Sequence, residues 1–184
     1  MVQEPRGLMT SQKDLPSIII DGQDGGCQNE AALLLTTSWA EHGLLAAVLD
    51  APAGNDLNIL ASRHGVARIW RDAKGPDGVL ISDGAEAAEW RRQLGQKEVL
   101  GVQIGNSRHQ GMLAAESGAD FVLLDEQDHD AILEFTQWWC GLMNLALAIP
   151  HDNVMTPRLL AEGLPDMVVV PAGLVLEVGD IIGR

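Results

Sequence analysis

The run Gly105-Asn106-Ser107-Arg108-His109-Gln110-Gly111 sets a hydroxyl, a guanidinium and an imidazole side by side between two glycines. Ser107 suits a helix cap, and a helix N-terminus is electropositive, so Ser107, Arg108 and His109 are candidates for binding an anion such as phosphate. The plain alternative is a capped, solvated loop. Arg71-Asp72 sets a cation beside an acid, a pair that by itself serves as readily as an ion pair or helix cap. Ser82-Asp83-Gly84 sets a further carboxylate in what reads as a turn and helix start. His151 and Asp152 are candidate proton-transfer groups, weighed against an ordinary surface histidine. Asp128-His129-Asp130 could weakly chelate a metal but lacks metal-site spacing. Trp70 is the candidate for stacking a flat ring, or else a packing residue.

Short apolar strands alternating with helical stretches must position these groups. Strands are expected at Ser17–Asp21, Leu44–Leu49, Val66–Trp70, Gly78–Ile81, Val99–Ile104, Phe121–Leu124, Leu145–Ile149 and Met167–Val170. Helices are expected between most of them, with Asn29 and Asp56 as caps and a stop at Gly65. The stretch from Arg71 to Asp77 is too short for a full helix. Continuous apolar strands alternating with helices indicate a parallel sheet covered on both faces. Eight such units indicate closure into a compact α/β (βα)8 TIM barrel with shortened helices. An open doubly wound sheet is the alternative, but Asp21-Gly-Gln-Asp-Gly-Gly26 carries acids where a dinucleotide phosphate would sit. Residues 16–184 read as one domain and residues 1–15 as a disordered tail without the apolar core of a signal peptide.

Gly78-Val-Leu-Ile-Ser-Asp-Gly-Ala85, Leu100-Gly-Val-Gln-Ile-Gly105 with Ser107-Arg108-His109, and Thr156-Pro-Arg-Leu-Leu-Ala-Glu-Gly163 with Val168-Val-Val170 follow one another in order. Together with Trp138-Trp139 they resemble the thiamine phosphate synthase family, in particular a divergent branch with a G-x-S-R-H-x-G loop. The resemblance implies a TIM barrel that joins a pyrimidine pyrophosphate to a thiazole phosphate with Mg2+, releasing pyrophosphate. It also brings a related thiazole tautomerase role, with His109 or His151 carrying the proton. On this reading Asp72, and Asp83 near the second position, would hold the metal. Arg71, Ser107, Arg108, Ala172 and Gly173 would bind substrate or phosphate.

The sequence departs from that pattern where the chemistry lies. A cationic cluster after the second strand is replaced by Val48-Leu-Asp50-Ala-Pro52, and a lysine-bearing loop by Asp125-Glu-Gln-Asp128. Pro150 and His151 stand where paired glycines would donate N–H groups to phosphate, and Pro171 repeats the substitution after the eighth strand. The net charge of −14 disfavours nucleic acid and opposes a pyrophosphate unless a metal or local donors offset it. No apolar run is long enough to cross a bilayer. Two cysteines, Cys27 and Cys140, fit free thiols in a reducing cytoplasm.

Two functions follow. One is a divergent synthase-like protein of thiamine biosynthesis that binds a phosphorylated pyrimidine- or thiazole-type molecule with Mg2+. The other is a non-catalytic binding or regulatory relative acting through a partner or a homodimer interface, with one of Trp138 and Trp139 at a contact. Convergence of Arg71, Arg108 and His109 on one cleft favours the first, and their dispersal over the surface favours the second.

Overall fold

The computed structural model describes residues 16–23, 29–162 and 164–182. The expectation for residues 1–15, and anything concerning Cys27 or Gly163, lies outside them. Eight parallel strands close into a barrel in chain order: β1 (Ser17–Asp21), β2 (Leu45–Leu49), β3 (Ala67–Arg71), β4 (Gly78–Ile81), β5 (Val99–Ile104), β6 (Phe121–Leu124), β7 (Ala146–Pro150) and β8 (Met167–Pro171). The helices are α1 (Glu30–Glu41), α2 (Asp56–His64), α3 (Ala87–Gln93), α4 (Arg108–Glu116), α5 (His129–Leu142), α6 (Met155–Ala161) and α7 (Val175–Ile182). Closure comes from β1 pairing with β8 over its full length, Ser17 opposite Met167 through Asp21 opposite Pro171. The open-sheet alternative is thereby excluded.

Alternation of side chains along each strand divides the core in two. Ile18, Val79, Val102, Val122 and Val168 face the helices, whereas Ile19, Leu49, Ile69, Leu80, Leu123 and Val169 fill the barrel. Gly101 lies on the inward side of β5, level with Phe121, and a Cβ there would fall 2.4 Å from the Phe121 ring. One aromatic ring thus occupies the width that two side chains would otherwise share.

Acidic side chains fasten the bottom of the barrel. Carboxylates of Asp77, Asp120 and Asp166 accept the backbone N–H of Arg68 (3.0 Å), Leu100 (2.8 Å) and Leu147 (2.9 Å). Each donor is the second residue of an odd-numbered strand, and each acid directly precedes the next strand. At β1 the same place is filled by backbone, with Ile18 N–H donating to the Leu44 carbonyl at 2.7 Å. Part of the chain's acidity is therefore built into the barrel end opposite the candidate chemistry.

Of the local expectations, the cap of α2, the helix start after β4 and the stacking role of Trp70 need correction, whereas the helix-free β3–β4 connection and one core tryptophan in the Trp138–Trp139 pair agree with the structure. Asn55, not Asp56, caps α2, because its side chain accepts the Leu57 N–H at 2.8 Å while Asp56 already lies in the first turn. The stretch after β4 opens as a 3-10 turn, Gly84–Glu86, before α3 begins. The β3–β4 connection is a strap without a helix, with Asp77 N–H donating to the Arg68 carbonyl. Trp70 lies on that outer side at 37% exposure, level with the outward Val79, so it cannot stack a ring in the barrel mouth. Trp139 is core, its Nε1–H donating to the Leu145 carbonyl at 2.7 Å, while Trp138 packs partly against the core.

Gly101→Ala forces a methyl into the Phe121 ring and is expected to cost about 1–3 kcal/mol, the usual range for overpacking. Adding Phe121→Leu should recover part of that loss, and a double-mutant cycle by chemical denaturation measures the coupling.

Candidate functional site: the mouth of the barrel

The period of two that places Ile19, Ile69, Leu80, Gly101, Leu123, Ala148 and Val169 inside also fixes what comes next. Two residues further on are Asp21, Arg71, Ser82, Gln103, Asp125, Pro150 and Pro171. All seven line one cleft of about 430 Å³ at the C-terminal ends of the strands, with His151, Gln23 and the apolar Leu123, Leu124 and Val169. This is the end of a TIM barrel where strand termini and loops assemble sites. A second depression, between the starts of α5 and α6, is lined by Asp128, His129, Asp130 and Arg158 and lies on the outer rim.

Arg71 organises the cleft. Its Nη2 donates to Asp21 Oδ2 at 2.7 Å, and its Nη1 donates to both Asp50 Oδ2 and Asp21 Oδ1. Asp50 Oδ1 also accepts the Arg71 backbone N–H at 2.8 Å, and Gln23 Nε2 donates to Asp50 Oδ2 at 3.3 Å. All three charged side chains are largely covered, at 17–21% exposure. Burial works against the Arg71 charge, but the Asp21 and then the Asp50 carboxylates outweigh it and hold its pKa above the ordinary guanidinium value. The one arginine among the described residues of the cleft lining is thus bound at both Nη atoms by the protein's own carboxylates.

Asp50 and Asp72 reach this geometry through the same backbone device. Each follows a strand with a left-handed φ, 48° and 49°, which a short polar side chain tolerates best among non-glycine residues. Each then turns its carboxylate to the end of the next strand. Asp72 Oδ1 accepts the Ser82 N–H at 2.7 Å, and its Oδ2 accepts the Ser82 hydroxyl at 2.8 Å. The expected Arg71–Asp72 ion pair gives way to Arg71 with Asp21 and Asp50, and Asp72 with Ser82.

Asp83 accepts the Ala85 N–H at 2.9 Å and caps the 3-10 turn. No group of three His, Cys, Asp or Glu side chains among the described residues is arranged to hold a metal ion. Asp72 and Asp83, the carboxylates that the sequence resemblance assigns to Mg2+, each accept a local backbone N–H, from Ser82 and Ala85 respectively.

Arg108 and His109 stand apart from the cleft lining, in the first turn of α4. Arg108 Nη2 donates to Glu134 Oε1 at 2.8 Å, and its guanidinium sits 5.0 Å from the centre of the Trp138 ring. Ser107 caps α4, its Oγ accepting the Gln110 N–H at 3.3 Å. His109 is exposed. Ala172 is buried at the start of a 3-10 turn, Ala172–Leu174, and open space lies where a Gly173 Cβ would stand. His129 turns to Asp152, with Nε2 3.4 Å from Oδ1, while Asp128 caps α5 by accepting the Ala131 N–H.

His151 is the imidazole of the cleft. Its Nε2 pairs with Asn153 Oδ1 at 3.0 Å and its Nδ1 with the Thr156 hydroxyl at 3.1 Å. A neutral ring with its hydrogen on Nε2 satisfies both, because the Asn153 oxygen accepts and the Thr156 hydroxyl can donate. Burial lowers the His151 pKa, outweighing the Asn153 contact and the nearby Glu177 and Asp152 charges. Asp152 is held below the usual carboxylate range by the N–H groups of Met155 and Val154, at 2.7 and 2.8 Å, which suits a helix-start acceptor rather than a proton carrier.

The fold defined by these elements is the TIM barrel, and solved structures agree. Phosphonopyruvate hydrolase in complex with oxalate and Mg++ matches with a TM-score of 0.56 at 13% identity, covering 91% of this chain and 80% of that one. Phosphoribosylanthranilate isomerase from Thermotoga maritima matches at 0.56 and 14% identity, covering 92% of this chain and all of that one. Tryptophan synthase from M. tuberculosis matches at 0.57 and 13% identity, covering 91% and 87%. These likenesses concern the fold alone.

In sequence the chain is similar to thiamine-phosphate synthases. It is 32% identical over 130 residues to the thiamine-phosphate synthase of Rhodospirillum centenum, covering 65% of this chain and 58% of that protein. It is 31% identical over 106 residues to that of Erythrobacter litoralis, covering 48% of this chain and 50% of that protein. The match thus spans little more than half the length of these curated relatives. No family model matches the chain.

His151 supplies a pH test. Its folded pKa lies below the ordinary imidazole value of 6.5, so as pH falls through that value the unfolded chain takes up a proton first. The His151 contribution is complete above the unfolded pKa and is lost as pH falls toward the folded one. Between about pH 7 and pH 5 the wild-type melting temperature should therefore fall more steeply than that of His151→Gln. Parallel slopes in a thermal-denaturation series would contradict the half-buried, neutral imidazole.

Proposed function

We propose that this protein is a thiamine-phosphate-synthase-like barrel of thiamine metabolism that acts as a non-catalytic binding or regulatory relative in the cytoplasm. The observation that carries the proposal is the Asp21–Arg71–Asp50 network, in which internal carboxylates take the places where a pyrophosphate would meet the cleft's arginine. The last residues of β7 and β8 support it, because Pro150 and Pro171 have no N–H to offer a phosphate. Asp125 adds a further acid to the same lining, held by Gln103 Nε2 at 2.8 Å. A reaction that must stabilise a departing pyrophosphate needs cations, amides or a metal aimed at it. This mouth offers a neutralised arginine and carboxylates.

The binding function would then reside in the cleft, and assembly in the outer helices. Leu34, Ile59 and Leu176 are exposed on α1, α2 and α7, and α1 packs against both of the others. A homodimer through this side is the simplest assembly. No helix among the described residues is long and apolar enough to cross a membrane.

His151 favours a second reading. A neutral imidazole facing the cleft that contains Arg71 could carry a proton for a thiazole-type phosphorylated ligand, the tautomerase role. The two readings separate in one assay series with purified protein, pyrimidine methyl pyrophosphate, thiazole phosphate and Mg2+. The proposal expects no thiamine phosphate above the rate without protein and no isomerisation of the thiazole carboxylate phosphate. Thiamine phosphate formation lost in Asp72→Ala would overturn it in favour of a synthase. Isomerisation lost in His151→Gln would overturn it in favour of the tautomerase.

A further inference from the structure

Asp50 occupies an unusual place in the mouth. It extends from the end of β2, holds a left-handed backbone conformation and accepts from Arg71 twice, once from the backbone N–H and once from Nη1. Asp21 alone already provides Arg71 with a two-point partner, through Nη2 at 2.7 Å and Nη1 at 3.4 Å. A single carboxylate neutralises the guanidinium but leaves an Nη1 N–H open to a second anion. Two carboxylates do not leave it open, and here the second one belongs to the protein.

We infer that Asp50 is the specificity-determining residue of the cleft, an internal anion that keeps Arg71 from phosphate-bearing ligands and reserves the mouth for neutral or cationic ones. The inference deepens the proposed binding function and rests on it for the cleft's role, but the charge selectivity has its own test. With Asp50 in place, an incoming pyrophosphate must displace an anion that is tethered and already close to Arg71. It must also approach Asp21 and Asp125 at short range, where carboxylates repel it. The remaining polar groups among the described residues of the lining, Gln23, Ser82, Gln103 and neutral His151, suit ligands without charge, above the apolar Leu123, Leu124 and Val169.

Asp50→Asn is the informative substitution. Asparagine tolerates the left-handed backbone. Its Oδ1 can still accept the Arg71 backbone N–H, while its amide turns a donor toward Nη1 and cannot hold it. Arg71 then keeps only Asp21 and becomes available to an external anion.

The experiment is calorimetric titration of inorganic pyrophosphate, without metal, into the full-length wild type, Asp50→Asn, Asp50→Asn/Arg71→Gln, and Glu41→Gln. The last removes one negative charge at the exposed end of α1, outside the cleft. Asp50→Asn is expected to bind pyrophosphate at least about tenfold more tightly than the wild type, the scale of one charge-assisted hydrogen bond gained. The gain should vanish in the double variant and be absent in Glu41→Gln. Tight binding by the wild type would overturn the inference, as would a folded Asp50→Asn without gain, or a gain shared by Glu41→Gln. Should Asp50→Asn melt before it can be titrated, Asp21→Asn serves as the second variant, since it too leaves Arg71 with one carboxylate, and absence of gain there counts against the inference. Synthase activity in the wild type would refute the non-catalytic reading without deciding this comparison.

Discussion

Closure of the barrel is the constraint on which the rest depends. Once β1 pairs with β8, every strand has one face inside and one outside, and the period of two leaves no choice about which residues meet at the mouth. The inward layer of Ile19, Ile69, Leu80 and Leu123 is apolar, and two residues further on the same faces become Asp21, Arg71, Ser82 and Asp125. Gly101 and Phe121 show how tight this closure is, since one ring fills the space of two side chains. Carboxylates fasten the barrel at both ends. Asp77, Asp120 and Asp166 receive strand N–H groups at the bottom, and Asp50 and Asp72 do so at the top.

That arrangement changes the meaning of the net charge. Many acids of this chain are acceptors for its own backbone rather than a diffuse surface field. Asp72 and Asp83, the carboxylates that resemblance would assign to a metal, are among them, one held by Ser82 and the other by Ala85. Asp50 does both jobs, receiving a strand N–H and closing the guanidinium fork. A site with its own anions already in place differs in kind from one that waits for a substrate to supply them.

The fold was legible because its signal is local. Short apolar runs such as Phe121–Leu124 and Met167–Val170, separated by capped helices, need only periodicity and turn chemistry to be recognised. The site was legible only in part. Arg71 and His151 stood out by type and do share the cleft, whereas Arg108 and His109 stood out equally and lie on α4 instead. Alternation anchored on an inward Ile69 turns Trp70 outward and Arg71 in, which excludes the ring-stacking alternative for Trp70. The partners of Arg71 could not be read locally, since Asp21 and Asp50 lie 50 and 21 residues away and meet it only across closed strands.

Arginine-selective 15N NMR of the side chain of Arg71 tests the central claim most directly. If Asp21 and Asp50 hold its fork, its Nη signals should be resolved, report slow rotation about the guanidinium bond, and stay in place as pyrophosphate is added. Averaged Nη signals that move saturably with pyrophosphate would mean that Arg71 is free for an external anion, and would contradict a mouth that supplies its own.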